Sequence, residues 1–140
     1  MEAIYQDQKF SAHVKKHFDF LINEYGFRSH HTSLGYVKDV LELEFYHGKG
    51  ELDVIFFVRR DDEVFRPFVS RSFDLIDIVK RQAGRELTWP SNLPEYIISM
   101  EDVDIYLSFL GEVTKKYCKE QLNGNFSIFE KIHTARRTNA

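Results

Sequence analysis

The sequence has little of several residue types that mark specialised protein classes. Its 140 residues include one cysteine, three prolines and seven glycines. A single cysteine excludes an intramolecular disulfide, and with it a small secreted scaffold held by such bridges. The scarcity of proline and glycine excludes collagen-like and linker-like chains. No basic segment followed by an apolar run stands at the start, so we expect no signal peptide.

Long apolar runs and a large charge excess are also missing. The longest apolar run, at 54–58, is far below the roughly 20 residues that cross a bilayer, so we expect no membrane partner and a cytoplasmic protein. Nineteen basic residues stand against 22 acidic ones, for a net charge of −3. Nucleic-acid-binding domains usually carry a clear positive excess, and we therefore expect no nucleic-acid partner.

Aromatic residues, in contrast, are plentiful. The chain contains 13 Phe, 7 Tyr and 1 Trp, and 43% of its residues are hydrophobic. This composition excludes disorder, and a chain of this length can bury roughly two-thirds of its unfolded surface. We predict one α+β domain over 1–140, with a frayed tail at 135–140.

Apolar residues at spacings of three and four predict a first helix over 8–25. Gly26 follows it, and glycine accepts the left-handed backbone at a helix C-terminus. Over 41–45 and 52–58 the apolar residues recur at every second position, with a glycine-containing connection, which predicts an antiparallel hairpin.

The remaining elements complete the prediction of an N-terminal helix, an antiparallel sheet of three to four strands, and then three helices. Pro67 favours an edge position for its strand, because proline lacks a backbone donor. The serines at 72 and 99 are typical helix caps. The predicted strands lie near 33–37 and over 64–69, and the predicted helices over 72–84, 100–122 and 125–132.

Histidines suggest one possible chemistry. His13 and His17 are four residues apart on the first helix, a spacing that lets two imidazoles share one metal ion. His30 or His31 could add a ligand. A small metal-dependent hydrolase therefore stays open, although Lys15 and Lys16 would oppose a cation, and the edge of an apolar stripe is also where half-buried polar residues lie.

Carboxylates and a thiol suggest two further possible chemistries. On the hairpin, Glu42 and Glu44, and likewise Glu51 and Asp53, each share one face of a strand, where they could bind a divalent ion, act as acid and base, or form a solvated face. Cys118 has lysines nearby that would favour a thiolate, but its position at the border of an apolar stripe is typical of an inert, packed cysteine. We predict no catalytic residue, metal or cofactor.

The helix over 100–122 is apolar on two sides. Ile105 and Phe109 lie away from its main stripe, so they need a second covering. The last helix is one candidate for that covering. A second copy of the chain is the other, which would make the protein a structural homodimer.

Three segments carry a resemblance to a known group of proteins. They are FDFLINEYGF at 18–27, SFDLIDIV at 72–79 and LNGNFSIF at 122–129. Taken in this order, the three segments resemble those of a group of small, largely uncharacterised bacterial α+β proteins. Some members of that group are similar to immunity proteins, which neutralise contact-delivered or secreted toxins. The shared positions are helix ends, caps and core residues, so the resemblance implies a fold and a role but no catalytic residue.

An immunity protein in a toxin–antitoxin pair would bind a basic toxin domain through an acidic surface, because opposite charges speed association and fix its register. Two acidic patches and three aromatic anchors are the predicted partner-binding residues. They are Glu42, Glu44, Glu51 and Asp53 on the hairpin, Glu101, Asp102 and Asp104 on the later helix, and Tyr46, Phe57 and Trp89.

Overall fold

Helices and a meandering antiparallel sheet make up the described part of the chain. The computed structural model describes residues 2–30, 34–58 and 72–138. The helices are α1 (Glu2–Phe18), α2 (Phe20–Tyr25), α3 (Leu75–Ala83), α4 (Met100–Tyr117), α5 (Lys119–Leu122) and α6 (Ser127–Thr138), with a 3-10 turn at Gly84–Glu86. The strands are β1 (Arg28–Ser29), β2 (Gly35–Lys38), β3 (Leu41–Gly48), β4 (Glu51–Val58) and β5 (Ser72–Asp74).

The five strands of the described sheet lie in the order of the sequence, each antiparallel to the next. β3 and β4 form the predicted hairpin, paired from Leu41 opposite Val58 to Gly48 opposite Glu51. The α+β class is confirmed, but the predicted strand count of three to four is wrong. β1 and β5 have only two and three residues, too few for a period of two to be visible in the sequence.

The face of the sheet that we call the inner face packs against the helices. The Phe18 ring of α1 lies 4.8 Å from Phe45 of β3, measured between ring centroids. The Phe129 ring of α6 lies 4.7 Å from Phe73 and 5.4 Å from Phe56. These aromatic residues are all buried, so the hydrophobic core lies between this face and the helical layer.

Helices α1 and α4 cross closely. A Cβ atom added at Gly111 of α4 would come within 2.8 Å of the carbonyl oxygen of His17 on α1. Only glycine lets the two backbones approach this far. The crossing brings the polar edge of α1 against the first turns of α4, where three of the predicted partner-binding acids lie.

Two predicted helices are each divided in two. The first breaks at Asp19, where the hydrogen bond from the Ile22 N–H to the Asp19 carbonyl tightens the turn to a spacing of three residues. The second breaks at Cys118, whose φ of −111° is not helical. An apolar stripe does not show such breaks, because its spacing continues across them. Gly26, with φ of 77°, ends α2 as predicted.

The helix predicted to begin at Ser72 begins three residues later. Ser72 and Phe73 pair with β4 as part of β5, and the Asp74 side chain accepts the Ile76 N–H as the cap of α3. The predicted strand over 64–69 lies outside the described residues.

Of the tail predicted to fray at 135–140, residues 135–138 belong to α6, and 139–140 lie outside the described residues. Arg136 anchors this end of the helix. Its Nη1 donates to the carbonyl oxygen of Ser72 at 3.0 Å, and its guanidinium lies 4.9 Å from the centre of the Phe73 ring. The residues joined by this hydrogen bond are 64 positions apart in sequence, so the sequence of the tail alone does not indicate the contact.

Candidate functional site

The face of the β3–β4 hairpin that points away from the helices, which we call the outer face, collects one group of predicted site residues. In the register of the hairpin, Glu42 lies opposite Phe57 and Tyr46 lies opposite Asp53. Because side chains alternate along a strand, every second residue shares this face. The structure therefore brings together Glu42, Glu44, Tyr46, Glu51, Asp53 and Phe57.

Exposure differs across the outer face. Glu51 and Asp53 are exposed, whereas Glu42, Glu44 and Phe57 are half-buried. Tyr46 is 48% exposed, and its hydroxyl donates to Glu44 Oε1 at 3.1 Å. Partial burial, together with the Glu44 and Glu42 carboxylates, raises the pKa of Tyr46. The exposed aromatic ring thus stands within a field of negative charge.

The sequence did not identify a further acid at the edge of this face. Asp74 of β5 lies opposite Ile55, and it lines a cavity of about 190 Å³ together with Asp53 and Tyr106. Burial raises the pKa of Asp74, and repulsion from Asp53 and Asp77 adds to the rise. The alternation of β5 would have placed Asp74 on this face, but the prediction of a helix from Ser72 concealed it.

The second predicted acidic patch lies at the start of α4 and is largely occupied within the chain. Asp102 forms the predicted helix start with Ser99: its Oδ2 accepts the Ser99 N–H at 3.2 Å, and Ser99 Oγ accepts the Asp102 N–H at 3.1 Å. The backbone hydrogen bonds from Ser99 and Ile98 lower the pKa of Asp102. This reciprocal capping gives Asp102 an internal role, while Glu101 is exposed.

Asp104, the third acid of that patch, faces α1. Its Oδ1 lies 2.8 Å from His17 Nε2, 3.0 Å from Lys16 Nζ and 3.1 Å from His13 Nδ1. The hydrogen bonds from His17 and Lys16, followed by that from His13, hold the pKa of Asp104 well below its usual range. We call these four side chains the α1–α4 polar cluster.

His13 and His17, whose spacing would allow them to share a metal ion, instead lie against the same carboxylate oxygen. Within residues 2–30, 34–58 and 72–138, no group of three or more His, Cys, Asp and Glu side chains could hold a metal ion. His30 lies on another part of the molecule, with Nε2 3.9 Å from Glu42 Oε2. His31 lies outside the described residues.

Phe109 and Trp89 contact each other. Their ring centroids are 5.2 Å apart, and Phe109 is only 6% exposed in the single chain. The loop between the 3-10 turn and α4 therefore helps to cover Phe109. The sequence had suggested only the last helix or a second copy of the chain as that covering. Ile105 stays half-buried and lines a groove of about 270 Å³ beside this loop.

Cys118 is buried in the core. Burial raises the pKa of its thiol to about 12, so the desolvation outweighs the effect of the neighbouring lysines. Lys115 instead lies over the ring of Phe20, 4.7 Å from its centre. The thiol is therefore protonated at neutral pH, as expected of a packed cysteine.

In the described part of the chain, no helix is both long and apolar enough to cross a membrane. The geometry instead assembles one carboxylate-rich sheet face with an exposed aromatic ring, an arrangement suited to binding cationic groups. No protein family model, curated protein or solved structure matches the chain.

Proposed function

We propose that the chain is a non-enzymatic protein-binding module, an immunity protein that neutralises a cognate bacterial toxin by binding to a basic surface of it. The outer face of the hairpin is the proposed binding surface. The observation that carries the proposal is the register of β3 and β4, which sets four carboxylates and two aromatic side chains on one face. The resemblance noted from the sequence supplies the toxin as the partner.

The hairpin is suited to this role because it is preorganised. Its two strands are paired over eight residues each, and its inner side chains are buried in the core. A rigid surface loses little conformational entropy on binding. Tyr46 adds a rigid aromatic side chain of the kind that often dominates interface energy.

The charges of the outer face also favour a cationic partner. Burial is the main cause of the raised pKa of Asp74, and repulsion from Asp53 across the end of β5 adds to it. A lysine or arginine of a partner would relieve this repulsion. In the α1–α4 polar cluster, by contrast, Asp104 already pairs with Lys16 and lies within hydrogen-bonding distance of His17, which is why we place the binding surface on the sheet.

The products of the reading frames that flank this chain's gene provide the test. Each is purified and titrated with the chain by calorimetry, and each is also produced in growing cells with and without the chain. We expect one product to be toxic, to bind the chain, and to lose its toxicity when the chain is present. If every toxic neighbour is neither bound nor neutralised, the proposal is overturned.

The double variant Glu44→Gln with Asp53→Asn should weaken binding and protection. Glu112→Gln with Glu120→Gln makes the same change in charge at exposed helical positions and should preserve both. Equal effects of the two variants would show that the outer face is not the binding surface.

A further inference from the structure

Two large apolar side chains stand exposed beside the turn of the hairpin. Tyr96 is 63% exposed and Ile98 is 72% exposed, whereas Ile97 between them is only 3% exposed. Exposed isoleucine is ordinary when it is isolated and mobile, but here the segment is held in place.

Backbone contacts fix this segment against the hairpin. The Ile97 N–H donates to the Gly50 carbonyl at 2.8 Å, and His47 Nε2 lies 2.7 Å from the Ile97 carbonyl oxygen. The Ile98 N–H donates in turn to Asp102 Oδ2 at 3.3 Å. With the Ile97 side chain buried and both flanking peptide groups held, Tyr96 and Ile98 project outward in a defined arrangement.

The capping of α4 does not account for the isoleucine. Ile98 directly precedes the cap Ser99, a position from which an apolar residue often packs against the fourth residue of the helix. That residue, Val103, is fully buried, yet Ile98 remains 72% exposed. The side chain therefore contributes little to the fold, and its apolar surface is available to a partner.

Three exposed acids lie close to this apolar pair along the chain or at the hairpin turn that Tyr96 approaches. Glu51 follows the hairpin turn, Glu95 precedes Tyr96, and Glu101 lies in the first turn of α4; all three are exposed. Lys49, in the turn itself, is the one basic residue of the turn 48–51. The surroundings are thus acidic, like the outer face that ends at the same turn.

We propose that Tyr96 and Ile98 form an apolar anchor that extends the binding surface of the outer face around the hairpin turn. Its occupant is a partner segment in which apolar and basic side chains alternate: the apolar ones cover Tyr96 and Ile98, and the basic ones meet the surrounding carboxylates. The anchor rests on the proposed function, because it serves the same basic partner.

Two short peptides of equal length and charge test the anchor, one alternating leucine with lysine and the other alternating serine with lysine. Each is titrated into the isotopically labelled full-length chain and followed by NMR. We expect the leucine peptide to bind about tenfold more tightly than the serine peptide. The largest changes in chemical shift should occur at Tyr96 and Ile98. The variant Ile98→Ser should remove this advantage, while Ile22→Ser, at an exposed position on α2, should retain it.

The possible results separate the anchor from the proposed function. If both peptides bind equally and Ile98→Ser has no effect, the anchor is refuted while recognition of basic groups stands. If neither peptide binds, the anchor and the recognition of short basic segments by the outer face are both refuted. If Ile98→Ser instead abolishes a concentration-dependent self-association seen by sedimentation, the pair is a contact between two copies, and the proposed occupant is wrong.

Discussion

Asp104 offers the sharpest test of how the chain distributes its acidic residues. Replacing it with asparagine keeps the size of the side chain but removes the negative charge that His13, Lys16 and His17 contact. If the carboxylate holds α1 against α4, Asp104→Asn destabilises the fold. If it belongs to an exposed acidic patch, the same change leaves stability nearly unchanged.

The magnitude follows from the contacts. A hydrogen bond to a charged group contributes about 1.5–3 kcal/mol when buried, whereas an exposed ion pair contributes about 0.2–1 kcal/mol. The Asp104 side chain is 33% exposed and that of His17 is 14% exposed, while Lys16 is largely exposed. We therefore expect Asp104→Asn to lower the free energy of unfolding by about 1–2 kcal/mol at pH 7.

The effect should depend on pH with a definite sign. The pKa of Asp104 is lower in the folded chain than its unfolded value of about 3.9. Its stabilisation is therefore complete above that unfolded value and is lost as the pH falls through the lower folded-state pKa. In urea denaturation, the difference in the free energy of unfolding between wild type and Asp104→Asn should narrow below a pH of about 4.

Glu101→Gln provides the control, since Glu101 is exposed and lies in the same helical turn region. It should change stability by less than about 0.5 kcal/mol. An Asp104→Asn variant as stable as this control at pH 7, or a difference in the free energy of unfolding that does not narrow below a pH of about 4, would refute an internal role for Asp104.

Further substitutions test the packing. Gly111→Ala should destabilise the chain in urea denaturation because its Cβ would press on the His17 carbonyl oxygen; a gain of about 1 kcal/mol, the helix-propensity effect alone, would contradict the close crossing. Gly35→Ala should be more disruptive, since its Cβ would overlap the Leu43 carbonyl of the neighbouring strand, and a wild-type melting temperature would exclude that contact. Cys118 should react with a thiol reagent at pH 8 only as fast as the chain unfolds; rapid labelling of the native chain would disprove its burial.

Local patterns in the sequence were sufficient for much of the fold. The period of two over 41–58 predicted the hairpin, and it placed Glu42 with Glu44 on one face of their strand. The register of the hairpin then sets Asp53 on the same side of the sheet. Ser99 predicted the start of α4, because a capping residue acts within one turn. These features depend on residues that are neighbours along the chain.

Features that depend on distant pairing could not be predicted in this way. β5 exists because Phe73 lies opposite Phe56, and no pattern in three residues shows that. The bond between His13 and Asp104 spans 91 residues of sequence and requires α1 to cross α4. The sequence showed the charges of the acidic helix start, but only this crossing determines that Asp104 pairs within the chain.

The dependence of partner binding on the outer face is the central claim, and charge-matched variants test it most directly. One variant removes three carboxylates from the outer face: Glu42→Gln, Glu44→Gln and Asp53→Asn. The other removes three exposed carboxylates from the helices: Glu112→Gln, Glu120→Gln and Glu130→Gln.

The measurement is the Kd for the toxic product that the proposed function predicts from a flanking reading frame, determined by calorimetry at low and high salt. We predict that the outer-face variant binds at least about tenfold more weakly and loses most of its salt dependence, while the helix variant stays within about threefold of wild type. Equal weakening by both variants, or undiminished binding by the outer-face variant, would contradict the account.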